Sequence, residues 1–148
     1  MRPKQPASLF LGIAALALTT AQALASANID CSIDDANLKF EMEAIASRSG
    51  PIQQVQVGTI AIKPAAMTLA APAITFDRTH LLQQWIQDGD LRLQIEVSDD
   101  AAKQNVHLVI LTRLDTNTEK FLGRYVLRVS RDGKTKEFKG RIKECQAG

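Results

Sequence analysis

The sequence predicts an all-β fold: an antiparallel β-sandwich or small barrel with one short helix, its N- and C-terminal ends joined by a disulfide. Three observations predict it. Apolar and polar residues alternate through most of the chain beyond residue 27, the period-2 pattern of strands with one wet face. Asp132-Gly133 stands between two such runs, and a type I′ hairpin turn needs φ > 0 at both of its central residues. The two cysteines, Cys31 and Cys145, lie near opposite ends of the part that folds.

The hairpin fixes its own register. With Asp132 and Gly133 as the whole loop, Leu127 faces Phe138, Tyr125 faces Gly140 and Gly123 faces Ile142 on a mainly apolar face. The other face pairs Arg128 with Glu137, Val126 with Lys139 and Arg124 with Arg141, and is basic. A slip by one residue would turn Leu127 and Phe138 into water, so pattern and turn chemistry demand the same pairing. By the same parity Cys145 falls on the wet face, and the ladder has to end or bend before it.

Residues 1–27 read as a secretory signal. Arg2 and Lys4 form the charged n-region, residues 9–18 the apolar stretch, and Ala25-Ser26-Ala27 the small-residue cleavage site, with Ala21-Gln22-Ala23 as an alternative cut. The apolar run is short for a membrane span. Cys31 lies beyond the cleavage site, out of position for a lipid anchor. The expected mature chain, 28–148, is therefore a single β domain without a transmembrane segment, periplasmic or secreted. A domain of that size buries about two-thirds of its unfolded surface. An exported chain with two cysteines normally pairs them. Closing so long a loop contributes about 4 kcal/mol in the chain-entropy picture. No Cys-x-x-Cys occurs, which argues against a redox role.

The elements follow in order. Residues 28–33 carry Cys31 on a short strand, and Asp34-Asp35-Ala36-Asn37 turns. Leu38, Phe40, Met42 and Ala44 alternate with Lys39, Glu41 and Glu43, a second strand. Residues 47–51 turn again. Val55 and Val57 share one parity and Ile60 and Ile62 the other, so a bulge near Gly58 is expected to return all four to one face. Residues 67–69 are read as a short edge strand and 73–76 as another. Leu81, Leu82, Trp85 and Ile86 fit one face of a helix, with Asp77 or Thr79 as N-cap and Gly89 past its end. At that spacing Trp85 is expected in the core. Leu91, Leu93, Ile95 and Val97 form a clear strand, residues 98–105 a polar loop, and 106–114 the most apolar strand, placed centrally. Seven or eight strands result.

Charge is unevenly spread. The full chain has 18 Lys+Arg and 16 Asp+Glu, and Arg2 and Lys4 account for the excess. Residues 28–118 hold 7 basic and 12 acidic side chains, and 119–148 hold 9 basic and 4 acidic. The basic hairpin face, Arg124, Arg128, Lys139, Arg141 and Lys143, is the candidate binding surface. It would meet an anionic lipid, a glycan or an acidic protein. Nucleic acid is disfavoured, since no aromatic side chains interleave the charges for stacking. The competing reading is that these cations guard an edge hairpin against aggregation.

No catalytic constellation is expected. His80 and His107 lack partners at metal-ligand spacing, Gly-x-Ser-x-Gly and Gly-x-Gly-x-x-Gly are absent, and Asp34-Asp35 and Asp99-Asp100 lie in turns where Asp serves the backbone. The sequence thus points to an exported, non-catalytic binding or interaction module with no cofactor and no metal. The alternative is a structural or assembly protein of the cell envelope that pairs through a strand edge. A hydrolase ranks last.

Overall fold

The computed structural model describes residues 26–47, 50–63, 67–69, 71 and 73–148. The leader assigned to 1–27 lies outside the described residues except for Ser26 and Ala27, which open the first strand. Ten strands follow: β1 (Ser26–Asp34), β2 (Leu38–Ser47), β3 (Ile52–Ile62), β4 (Ile74–Thr75), β5 (Leu81–Gln87), β6 (Asp90–Asp99), β7 (Gln104–Asp115), β8 (Lys120–Arg131), β9 (Lys134–Ile142) and β10 (Glu144–Ala147). They form two antiparallel five-stranded sheets, ordered β10-β1-β2-β3-β4 and β5-β6-β7-β8-β9. Each pairing joins sequence neighbours except β1 with β10.

The inner faces meet in one core. Ile29, Phe40 and Ile60 from the first sheet and Ile95, Leu108 and Leu127 from the second are almost fully buried in it. Burial alternates cleanly along β2 and β7, as the period of their sequences requires. β7 lies in the middle of its sheet, in keeping with its apolar run.

The hairpin register is the one the turn dictates. Leu127 pairs with Phe138, Tyr125 with Gly140 and Gly123 with Ile142, and Asp132 and Gly133 have φ of 50° and 76°. The parity conflict at Cys145 resolves at Lys143. β9 ends at Ile142, one residue later the chain enters the other sheet as β10, and Cys145 is thereby turned inward. Cys31 and Cys145 are cross-strand partners on β1 and β10 and form the disulfide. Beside it the Asn28 N–H donates to the Gly148 carbonyl at 2.8 Å, and the Gly148 N–H donates to the Asn28 carbonyl at 3.0 Å. The two ends of the folded chain are neighbours.

Four expectations need correction. The helix over Leu81, Leu82, Trp85 and Ile86 is β5, preceded by one 3-10 turn at Arg78–His80. Asp77 does cap that turn, accepting from Thr79 N at 2.8 Å, but the turn stops at His80. β5 pairs with β6 through the two-residue loop Asp88-Gly89, and a register shift between Leu81 and Gln83 leaves Leu82 as a bulge. The bulge puts Leu81, Gln84 and Ile86 on the inner side and Leu82 and Trp85 outside, which in sequence imitates helical spacing. Trp85 is consequently not core but 53% exposed. The β3 ladder shifts at Gln56 rather than Gly58, since Glu43 pairs with Val57 and Ala44 with Val55, and again at Gln53, since Ile45 pairs with Gln54 and Ala46 with Ile52. Val57 is left facing solvent. Finally, Met67 and Leu69 form no strand but pack against the core.

Side-chain links also tie the sheets together, among them the Lys120–Glu144 ion pair between β8 and β10 at 2.8 Å. At the β3–β5 edge, Ile52 N donates to Gln84 Oε1 at 2.6 Å and Arg78 Nε donates to the Ile52 carbonyl at 2.9 Å. Across the middle, the Tyr125 hydroxyl donates to Asp35 Oδ2 at 2.5 Å, while Asp35 Oδ1 accepts the amides of Asn37 and Leu38. Gly140 makes room for this ring, because a Cβ there would stand 2.3 Å from Tyr125 Cε1.

Burial, and then the bond to the Asp35 carboxylate, push the Tyr125 phenol up to about 12 from its ordinary 10.0. The native state therefore disfavours the phenolate more than the unfolded chain does. That contribution to stability is complete below pH 10 and is lost as pH rises through about 12. Tyr125 is the single tyrosine, so absorbance at 295 nm reports it alone. The native protein should titrate near 12 and the denatured chain near ~10. A native midpoint at the denatured value would mean the hydroxyl is not held as described.

Candidate functional site

The outer face of the β5–β9 sheet collects the basic residues. Side chains on one face of a sheet line up across strands, and here one row runs Trp85, Arg92, Leu111, Arg124, Arg141. Beside it run Gln83, Gln94, Val109, Val126 and Lys139, and next Glu96, His107, Arg128 and Glu137. On the other flank, Asp90, Arg113 and Leu122 are aligned. Arg124, Arg128, Lys139 and Arg141 thus share one face. Lys143 stands off the ladder, exposed at the corner where the chain changes sheets.

These cations are not equivalent. Arg128 Nε donates to Glu137 Oε2 at 2.8 Å, and Lys139 Nζ lies 3.0 Å from Glu137 Oε1. Hydrogen bonds from Arg128 and then Lys139 hold the Glu137 carboxyl below its ordinary value. Arg92 is tied to Asp90 at 2.5 Å. Among the described residues, Arg124, Arg141, Arg113 and Lys143 have no carboxylate within ion-pair distance. Arg124 and Arg141 are also direct cross-strand partners, a like-charge pair that an anion would relieve.

The face is not purely polar. Leu82 and Trp85 are each 53% exposed at its β5 edge, and Leu122 is 37% exposed. Leu82, Trp85, Arg92, Val109 and Leu111 line a groove of about 620 Å³. A second, of about 740 Å³, runs between Arg92, Leu111, Arg113, Leu122 and Arg124. Arg92 and Leu111 border both, so the two are continuous.

The opposite outer face is acidic. Asp30 pairs with Glu43 across β1 and β2, and Glu41 and Glu144 flank Ser32 from either side. Lys39, Lys63 and Lys120 answer part of this, pairing with Glu41, Asp34 and Glu144, and leave Asp30 and Glu43 without a cation partner among the described residues. The sandwich therefore carries opposite charge on its two faces.

The histidines lie apart. His80 Nδ1 is 2.9 Å from Asp77 Oδ1 in the capping box of the 3-10 turn. His107 Nε2 is 2.8 Å from the Gln94 side-chain nitrogen on the basic face. Among the described residues, no three His, Cys, Asp or Glu side chains gather as a metal ion would require. No described helix is long and apolar enough to cross a membrane.

The hairpin parity identified the Arg124–Arg141 pair, but Arg92, Leu82 and Trp85 were missed as members of the same face. Leu82 and Trp85 escape because 81–87 fits a helix, and Arg92, on the wet face of a strand that is legible, escapes because no local pattern places that strand two away from the hairpin. The missed signal was Asp88-Gly89, with φ of 53° and 79°, the same dipeptide and turn as Asp132-Gly133. No family model, curated protein or solved structure matches this chain.

Proposed function

We propose that this protein is an exported, non-catalytic binding module that holds an anionic component of the cell envelope on the outer face of its β5–β9 sheet. The observation that carries the reading is the Arg124–Arg141 pair, two neighbouring guanidiniums left without acids on a face whose opposite side of the molecule is acidic. A guanidinium is weakly hydrated and presents a planar fork that matches carboxylate and phosphate groups, so it suits such contacts. Export is supported by the charged and apolar pattern of residues 1–27 and by the Cys31–Cys145 disulfide, which persists in oxidising compartments.

The test uses dextran sulfate as a soluble polyanion, with binding followed as salt is raised. Binding should fall steeply with ionic strength. Arg124→Glu with Arg141→Glu should weaken it about tenfold or more at low salt and leave the melting temperature within a few degrees. Unchanged binding by the double variant rejects the face as the site.

A second reading has one observation in its favour. The edge strand β5, Leu81–Gln87, has no charged residue and no proline, whereas the opposite edge β9 carries Lys134, Lys136, Lys139 and Arg141. Charged edges discourage strand addition and β5 lacks that protection. Assembly through β5 predicts a partner that stays bound in high salt and is lost when a proline is placed in β5.

A further inference from the structure

We infer that the β5–β9 face docks flat on an anionic phospholipid bilayer, with Trp85 and Leu82 seated at the boundary between headgroups and acyl chains. The inference rests on the proposed function and names the partner. Three features carry it. The first is shape: the row from Trp85 to Arg141 crosses five strands, about 19 Å at ordinary strand spacing. A face of that width, grooved as it is, spans several lipid headgroups, more than one small ligand would cover.

The second is the mixture of side chains. A soluble polyanion that meets only the charges would satisfy Arg124 and Arg141 but leave Leu82 and Leu122 in water. A bilayer surface takes both. Tryptophan is favoured at headgroup depth because its ring is apolar with one polar edge, and arginine stems lie along apolar surface while the guanidinium reaches phosphate. Juxtamembrane cations are drawn to anionic leaflets, and apolar insertion adds to that attraction.

The third is the charge of the far side. Asp30 and Glu43, cross-strand partners on the other sheet's outer face, have no cation partner among the described residues, and an anionic membrane would repel them. Attraction on one face and repulsion on the other select a single orientation, with β5–β9 down.

The test uses the disulfide-bonded protein and phosphatidylcholine vesicles with or without phosphatidylglycerol. Trp85 is the single tryptophan, so its emission reports this edge. With phosphatidylglycerol present, emission should shift to the blue, and acrylamide quenching should fall at least twofold. Phosphatidylcholine alone should change neither. Leu82→Ala with Trp85→Ala should weaken co-sedimentation with the anionic vesicles about tenfold, while dextran sulfate binding stays within twofold. Arg124→Glu with Arg141→Glu should weaken both about tenfold or more.

If Trp85 stays as open to acrylamide on anionic vesicles as in buffer while dextran sulfate still binds, the bilayer is overturned and the anion-binding face stands. If neither anion is held, both readings fall. Salt-sensitive growth in mass with protein concentration, reversed by either Arg124→Glu or Glu43→Lys, would make the acidic face of a second copy the partner. That result also overturns the bilayer.

Discussion

Replacing Cys31 or Cys145 with alanine should lower the stability of the oxidised protein by about 4 kcal/mol, a large share of the roughly 5–15 kcal/mol that a domain has in total. The bond closes a loop of 114 residues, so its absence frees nearly the whole unfolded chain. Both sulfurs are buried, at 4% and 1% exposure, and alanine avoids the added cost of burying a hydroxyl. The loss should be the same for either position, and the double variant should lose no more than one single variant, because one bond is removed in all three. Urea denaturation gives the comparison. Additive losses in the double variant would mean that each cysteine acts by itself, and that the cross-link contributes little.

Gly123→Ala should be comparably damaging, by about 3 kcal/mol or more. A Cβ at Gly123 would stand 2.1 Å from the Leu111 carbonyl oxygen and 2.8 Å from the Thr112 Cα. Both are backbone atoms of β7, the middle strand of its sheet, and cannot swing aside as a side chain tip would. The added methyl would have to force β7 and β8 apart where Thr112 pairs with Gly123. Gly133→Ala is the control. Nothing lies within 4 Å of its Cβ position, but its φ is +76°, so the cost should be the roughly 1 kcal/mol of a left-handed alanine. Equal losses at the two sites would show that the contact with β7 is not what makes Gly123 necessary.

The strands of this fold were legible wherever a single period ran without interruption. Leu38 to Ala44, Leu91 to Val97 and the hairpin about Asp132-Gly133 all stand as read, because one wet face and one dry face leave only one register. What stayed hidden was hidden by bulges. At Leu82 and Gln56 one extra residue shifts the parity, and a broken period of two resembles other patterns. In 81–86 it resembled a helix, and Gly89 suited a helix end as well as a hairpin turn. The basic half of the candidate face was legible for the same reason as the hairpin. Its apolar half was not, because β5 had to be recognised as an edge strand before Trp85 could be placed outside. The Tyr125–Asp35 bond joins residues from distant parts of the chain, and no local pattern announces a contact of that kind.

The strand that finishes the first sheet, β10, is made after every other described strand. Until residues 144–147 emerge, β1 has an open edge and Cys31 a thiol with no mate, however far the preceding meander has progressed. Oxidation is thereby deferred until β10 has been made, and a chain that stops before Cys145 could never be sealed.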